Sequence, residues 1–247
     1  MDLGLRGRTA LVTGATRGIG LAIARALAAE GARIAVAART EADVRRVAGE
    51  LGGVPVAADL TTAEGCEAAL REAGDPDVLV NNLGLRAGTS WVDTGVPEME
   101  MAMAGNLYPA IRLSLLALPG MRRRRWGRVV VVSSLFGREA GGAPAYNAAK
   151  AAEVSFVTSL AREVGRDGVT VNCVAPGSIL FEGGSWQRRA QADPDGIAAF
   201  VRRELPLGRF GTPEEVASVV AFLCSVPASL VSGACWAVDG AQSRSNI

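Results

Sequence analysis

Tyr146 and Lys150, four residues apart in AYNAAK, carry the clearest chemical signal in a chain of 247 residues that contains no histidine. Imidazole is the usual proton-transfer group near neutral pH, so acid/base work here must fall to another side chain. A free phenol has a pKa of about 10, and an adjacent ammonium lowers it by stabilising the phenolate, about 1.4 kcal/mol per unit. Pro144 opens an alanine-rich segment, and an i, i+4 pair on a helix shares one face, so the two side chains can act as a unit. Ser134 ends the run GRVVVVSS twelve residues before Tyr146 and can hold a substrate oxygen beside the phenol. Ser133 competes for that role, because side chains alternate along a strand and only one of the two faces the cleft. In isolation the tyrosine and lysine read as a surface cation beside a half-buried aromatic. Their placement on the same sheet edge as a glycine-rich turn outweighs that reading.

That turn follows the first strand. In TGATRGIG, Gly14, Gly18 and Gly20 let the backbone turn tightly and approach a pyrophosphate at a helix N-terminus, whose free N–H groups and dipole favour an anion. Glycines also serve ordinary tight turns and close helix–strand packing, so the second strand must add support. It ends RIAVAART. An acidic residue there would accept hydrogen bonds from a free adenosine ribose. The chain instead has Ala38 followed by Arg39, and Arg39 with Arg17 can clamp a 2′-phosphate through charge-assisted hydrogen bonds. The expected cofactor is NADP(H) in preference to NAD(H), against the plainer reading of two solvated arginines. Asp59, ending the third strand, can accept from the adenine amino group, and Asn82 with Gly84 falls where the fourth strand meets the cofactor. Asp and Asn at strand ends also serve as caps and turn residues.

Seven β-rich runs must position these groups: RTALVTG, RIAVAAR, VPVAAD, DVLVNN, GRVVVVSS, VTVNCVAPG and ACWAVDG. Segments of helical period alternate with them, starting near Gly18, Glu41 and Thr62, then one containing Asn106, one carrying Tyr146 and Lys150, and a last at Pro213 to Ser225. The alternation implies right-handed βαβ crossovers and a Rossmann-type α/β fold: a doubly wound, mostly parallel, seven-stranded sheet with helices on both faces and ligands at the carboxyl ends of its strands. The length suits a single domain, residues 1–247. Between Ser178 and Leu207, GG, DPDG and several arginines interrupt the rhythm and predict an irregular, mobile substrate-binding flap.

Composition narrows the partners. With 26 Lys+Arg against 25 Asp+Glu the formal charge is +1, which provides no overall field for nucleic acid or anionic membrane. The run RRRRW, Arg122 to Trp126, sits at a helix end, where cations complement the helix dipole. Met101 to Met121 is interrupted by Asn106, Arg112 and Pro119 and reads as a buried or interface helix rather than a membrane span. Cys66, Cys173, Cys224 and Cys235 form no C-x-x-C pair, so an ordinary zinc set cannot be assembled without histidine and no metal is expected. Reduced thiols and an N-terminus lacking an apolar signal segment predict a cytoplasmic protein.

Taken in order, TGATRGIG, NNLG, Asn106, the serine pair, YNAAK and VAPGSI resemble the short-chain dehydrogenase/reductase family, in the subgroup that includes 3-oxoacyl-thioester reductases. The likeness continues through LPLGRFGTPEEVASVVAFLCS to SGACWAVDGA and covers nearly the whole chain. It implies that Tyr146 is the acid in reduction and the base in oxidation, and that Lys150 lowers its pKa and binds the nicotinamide ribose. Ser134 would orient the carbonyl, and Asn106 would hold a water linking the lysine to solvent. Further cofactor contacts are implied at Thr16, Ile19, Leu60, Pro176, Gly177 and Ile179, and assembly as a homotetramer or homodimer. The implied reaction is NADPH-dependent reduction of a ketone, either a 3-oxoacyl thioester or a polyketide-like ketone, with acyl carrier protein as a candidate partner. An alcohol, sugar or steroid dehydrogenase running oxidatively is one alternative; a cofactor-sensing binding module without turnover is another. The chain departs from the family pattern at Leu83, where alanine is usual, at Phe181, where threonine is common, and at Ala241, where a second glycine is common. The spacing from Ser134 to Tyr146 is also one residue shorter than often seen.

Overall fold

A computed structural model of the protein describes residues 1–246. The seven runs form β1 (Thr9–Thr13), β2 (Arg33–Ala38), β3 (Val54–Ala57), β4 (Val78–Asn81), β5 (Gly127–Val132), β6 (Val169–Pro176) and β7 (Cys235–Val238). Between them lie α1 (Gly18–Ala29), α2 (Glu41–Leu51), α3 (Ala63–Ala73), α4 (Val96–Gly105), α5 (Leu107–Arg124), α6 (Pro144–Val164), α7 (Ser185–Ala192), α8 (Pro194–Glu204) and α9 (Pro213–Leu223). The strands form one sheet in the order β3-β2-β1-β4-β5-β6-β7, with every neighbouring pair parallel.

The two-residue period of a strand divides the sheet between two cores. Val12, Val36, Val80, Val130 and Val174 face α1, α2 and α9, where they meet Ile23, Leu27, Val44, Val47 and Val220. Their neighbours Leu11, Ala35, Leu79, Val129 and Cys173 face α3, α5 and α6, against Ala69, Leu113, Met121 and Val157. Burial on both sides explains why β5 and β6 read as nearly unbroken apolar runs: every residue of each is buried, and a fully buried valine stabilises by about 1.5–3 kcal/mol. The chain leaves β1 for one face of the sheet and β4 for the other. This opens a crevice at their carboxyl ends, where ligands of doubly wound folds bind.

Two expectations need correction. Met101 to Met121 is not one helix containing Asn106: the helix breaks there, and Asn106 lies between α4 and α5 with φ −123° and ψ −67°. Its side-chain amide donates to the carbonyl of Ala102 in α4 and to that of Leu85 in the loop after β4. The region 178–207 is not irregular, since α7 and α8 occupy much of it. Asp193 caps α8, its carboxylate accepting from Gly196 N at 2.9 Å, and Pro194 fills the first turn, where a missing N–H costs nothing. Trp186 stacks on Phe200 with ring centroids 4.6 Å apart, so an aromatic cluster holds the two helices together. The α4–α5 segment is the one helical stretch among the described residues long and apolar enough to cross a membrane; half of its apolar 18-residue window is buried within the fold.

Candidate active site

A cleft of about 630 Å³ opens along the carboxyl ends of β1, β2, β4, β5 and β6. At one end is the glycine turn. Gly14 and Gly18 have φ of +60° and +53°, in the left-handed region that favours glycine. Gly20 has a different requirement: a Cβ there would meet the Gly14 carbonyl and lie 2.5 Å from Asn82 Nδ2. Asn82 ties the turn to β4, its backbone N–H donating to Thr13 Oγ1 at 2.8 Å and its side-chain amide to Thr13 O at 3.2 Å and Gly14 O at 3.4 Å. Arg17 and Arg39 are exposed on the cleft wall and form no ion pair among the described residues. Asp59 accepts from the Thr61 hydroxyl at 2.7 Å and its amide at 3.0 Å. Those bonds, with the Arg39 charge beyond them, hold its carboxyl below the usual range. These groups could hold a dinucleotide, with anions at the turn and at the arginines.

At the other end, α6 begins at Pro144 and places Tyr146 half-buried on the cleft wall above a fully buried Lys150. Lys150 Nζ lies 5.7 Å from the Tyr146 ring centroid. It donates to Leu83 O at 3.2 Å, Val132 O at 3.1 Å and Glu153 Oε1 at 2.9 Å. Burial lowers the pKa of this lysine, but the Glu153 carboxylate, and then Tyr146, outweigh that and raise it above the ordinary value. Both serines line the cleft, with different commitments. Ser133 Oγ donates to Lys150 O at 3.0 Å, joining β5 to α6. Ser134 Oγ accepts from Phe136 N at 3.2 Å, which leaves its own proton free.

Residues 14–241 match a family model described as Enoyl-(Acyl carrier protein) reductase. The chain is 39% identical to D-beta-hydroxybutyrate dehydrogenase of Cupriavidus necator, over 96% of this chain and 98% of that protein. It is also 39% identical to a 3-oxoacyl-(acyl-carrier-protein) reductase of Vibrio cholerae, with the same coverage. Among solved structures, L-sorbose reductase of Gluconobacter frateurii, complexed with NADPH and L-sorbose, superposes with a TM-score of 0.92 at 33% identity, covering 99% of this chain and all of that one. The chain belongs to the short-chain dehydrogenase/reductase family. It is an oxidoreductase of carbonyl and alcohol groups.

Within this short-chain dehydrogenase/reductase, Gly14, Thr16, Arg17, Ile19, Arg39, Asp59, Leu60, Asn82, Gly84, Ser134, Tyr146, Lys150, Pro176, Gly177 and Ile179 all line the one cleft. Gly18 and Gly20 shape the turn behind it. Gly177 lets β6 end against β7, since a Cβ there would lie 2.7 Å from that of Asp239. Asn106 stands apart: its side chain brackets Leu85, accepting from Leu85 N at 3.2 Å and donating to Leu85 O at 2.8 Å, and so shapes the loop over Lys150. Of the departures from the family pattern, Leu83 packs against the core, and the Phe181 ring lies against Gly18, where a Cβ would meet it at 2.7 Å.

Two residues of the site escaped the sequence reading. Arg86, exposed in the loop after β4, places its guanidinium carbon 5.2 Å from the Tyr146 ring centroid, and nothing in its spacing announces this. Glu153 lies under Lys150, and its signal was available: it follows Tyr146 and Lys150 by seven and three residues, the spacing of a shared helix face.

Proposed function

We propose that this chain is an NADPH-dependent carbonyl reductase in which Tyr146 donates the proton, acting on a 3-oxoacyl thioester or a polyketide-like ketone. The observation that carries the reading is the stacking of Tyr146 over a buried, charged Lys150 in the same cleft as the glycine turn. The cofactor choice is supported by Arg39 just after β2, where a carboxylate would favour NADH, by Arg17 on the same cleft wall, and by the NADPH in the related L-sorbose reductase structure.

A nicotinamide cofactor, when bound, would supply the hydride. Gly14, Gly18 and Gly20 would leave room for its pyrophosphate, Arg17 and Arg39 would bind the 2′-phosphate, and Asp59, Leu60, Asn82 and Gly84 would line the adenosine side. Pro176, Gly177 and Ile179 would border the nicotinamide side. Ser134 donates its free proton to the substrate oxygen and so fixes the carbonyl beside Tyr146. The phenol gives up its proton as negative charge develops on that oxygen, and Lys150 stabilises the phenolate left behind. Residues 178–207 form the substrate wall of a single domain. The apolar residues exposed on and before α4 and α5, among them Trp91, Val92, Met101 and Leu115, suit assembly as a homodimer or homotetramer. Oxidation of a hydroxy acid is a second reading, favoured by the likeness to D-beta-hydroxybutyrate dehydrogenase.

The test follows loss of NADPH absorbance against a short 3-oxoacyl thioester. Tyr146→Phe should lower turnover by about 10²–10⁴-fold, the range for a lost general acid, while NADPH still binds. Equal turnover in the variant would rule out the role assigned to the phenol, and oxidation of a 3-hydroxy acid with no ketone reduction would favour the second reading.

A further inference from the structure

Beneath Tyr146 and Lys150 lies a carboxylate that the chemistry above leaves without a role. Glu153 is 1% exposed, Oε1 accepts from Lys150 Nζ at 2.9 Å, and Oε2 is buried with no hydrogen-bond partner. Buried ionic groups are costly, and packing alone would be served at least as well by an apolar side chain of similar volume. The lysine it meets presents three protons, and three acceptors surround Nζ: Leu83 O, Val132 O and Glu153 Oε1. Burial raises the Glu153 carboxyl above its ordinary value although Lys150, and then Ser133, pull it down, so Glu153 and Lys150 compete for one proton.

The remaining charged and titratable neighbours come from every element packed around the pair. Tyr146 shares the helix, and the Arg86 guanidinium lies over its ring from the loop after β4. Ser133 at the end of β5 reaches Glu153, Cys173 on β6 and Cys235 on β7 face it from the sheet, and Arg138, after the 3₁₀ turn at Leu135–Gly137, lies by those two thiols. Cys235 and burial hold the Cys173 thiol protonated, and Glu153 Oε1 is the acidic oxygen that meets Lys150 Nζ, at 2.9 Å.

We propose that Glu153 is a positioning residue for proton transfer: its carboxylate, buried against Nζ, keeps Lys150 an ammonium beneath Tyr146 and so governs how readily the phenol gives up its proton. The proposal rests on the reading of Tyr146 as proton donor, and its test does not depend on turnover. The chain has two tyrosines, Tyr108 and Tyr146. In a Tyr108→Phe background, ultraviolet titration of tyrosinate in the full, cofactor-free chain reports Tyr146 alone.

Glu153→Gln should raise the Tyr146 midpoint by about one unit, a tenfold loss of phenolate at a given pH, because a buried lysine without its counter-charge loses its proton. Glu153→Asp, which keeps the charge at longer reach, should give a smaller rise. In a Lys150→Met background Glu153→Gln should leave the midpoint in place, since the effect travels through the lysine.

An unchanged midpoint in Glu153→Gln would overturn the proposal by placing the proton on Glu153 in a neutral pair. A lowered midpoint would overturn it by showing that Glu153 only offsets the lysine charge. If Glu153→Gln does not fold, as judged by near-ultraviolet circular dichroism, absence of a rise in Glu153→Asp overturns it equally. Full turnover in Tyr146→Phe would defeat the catalytic reading and leave the titration result standing, so the two failures are distinguishable.

Discussion

Gly20→Ala adds one methyl group to the first turn of α1, and its consequence can be worked from the contacts around it. The new Cβ would lie 2.8 Å from the Gly14 carbonyl carbon and 2.5 Å from Asn82 Nδ2. Carbon–carbon contact is most favourable at about 3.5 Å or more, and the Gly14 carbonyl oxygen lies nearer still to the new Cβ, so turn and helix must part by at least about 0.7 Å. Neither neighbour yields easily. Gly14 is backbone at φ +60°, and the Asn82 amide is held by the carbonyls of Thr13 and Gly14. Overpacking of this kind costs about 1–3 kcal/mol. Urea unfolding should therefore show Gly20→Ala destabilised by about 1–3 kcal/mol with an unchanged m-value, and, each step of about 1.4 kcal/mol being a factor of ten, NADPH fluorescence should show affinity reduced by about 5- to 150-fold. Gly49→Ala is the control. Position 49 is exposed in α2, and a Cβ there meets nothing within 4 Å, so replacing a helical glycine should stabilise by about 0.5–1 kcal/mol and leave binding unchanged. NADPH affinity in Gly20→Ala equal to wild type would refute the assignment of this turn to the pyrophosphate.

Two further predictions concern charge. Arg39→Asp removes a guanidinium from the cleft wall and adds a carboxylate. With hydrogen bonds to charged groups contributing about 1.5–3 kcal/mol, the ratio of NADPH to NADH affinity should fall by about 10- to 100-fold, and an unchanged ratio would return Arg39 to the solvated surface. Glu215 closes the cap of α9: its carboxylate accepts from Arg209 and from Thr212 N at 2.9 Å, and Arg209 first, then Thr212, lowers it from 4.5 to about 2. A carboxylate with a depressed folded-state pKa stabilises the fold above its unfolded value and loses that contribution as pH falls through the folded one. The cap should thus hold until the window from 4.5 down to about 2. Carboxyl NMR of Glu215 checks this, and an ordinary Glu215 midpoint would show the Arg209 bond absent in solution.

What the sequence determined by itself is what short-range repetition encodes. Valine runs buried on both faces announce β5 and β6, glycines at 14, 18 and 20 announce a turn that tolerates no Cβ at its crossing point, and the interval of four between Tyr146 and Lys150 sets them on one helix face. Each signal is local, because strand and helix periods make it so. Tertiary structure decided which polar atoms meet. Ser133 is committed to the Lys150 carbonyl while Ser134 keeps its proton, a distinction that depends on how α6 docks on β5. Asn106 interrupts a segment that reads as one helix, because its amide finds Leu85 twenty-one residues away. Arg86 reaches Tyr146 only because a loop from β4 folds over α6, and the Lys150 ammonium is held by carbonyls of Leu83 and Val132 from two different strand ends. Hydrogen bonds and ion pairs between residues distant in sequence have no period to betray them; they exist only once the sheet has brought its carboxyl edge together.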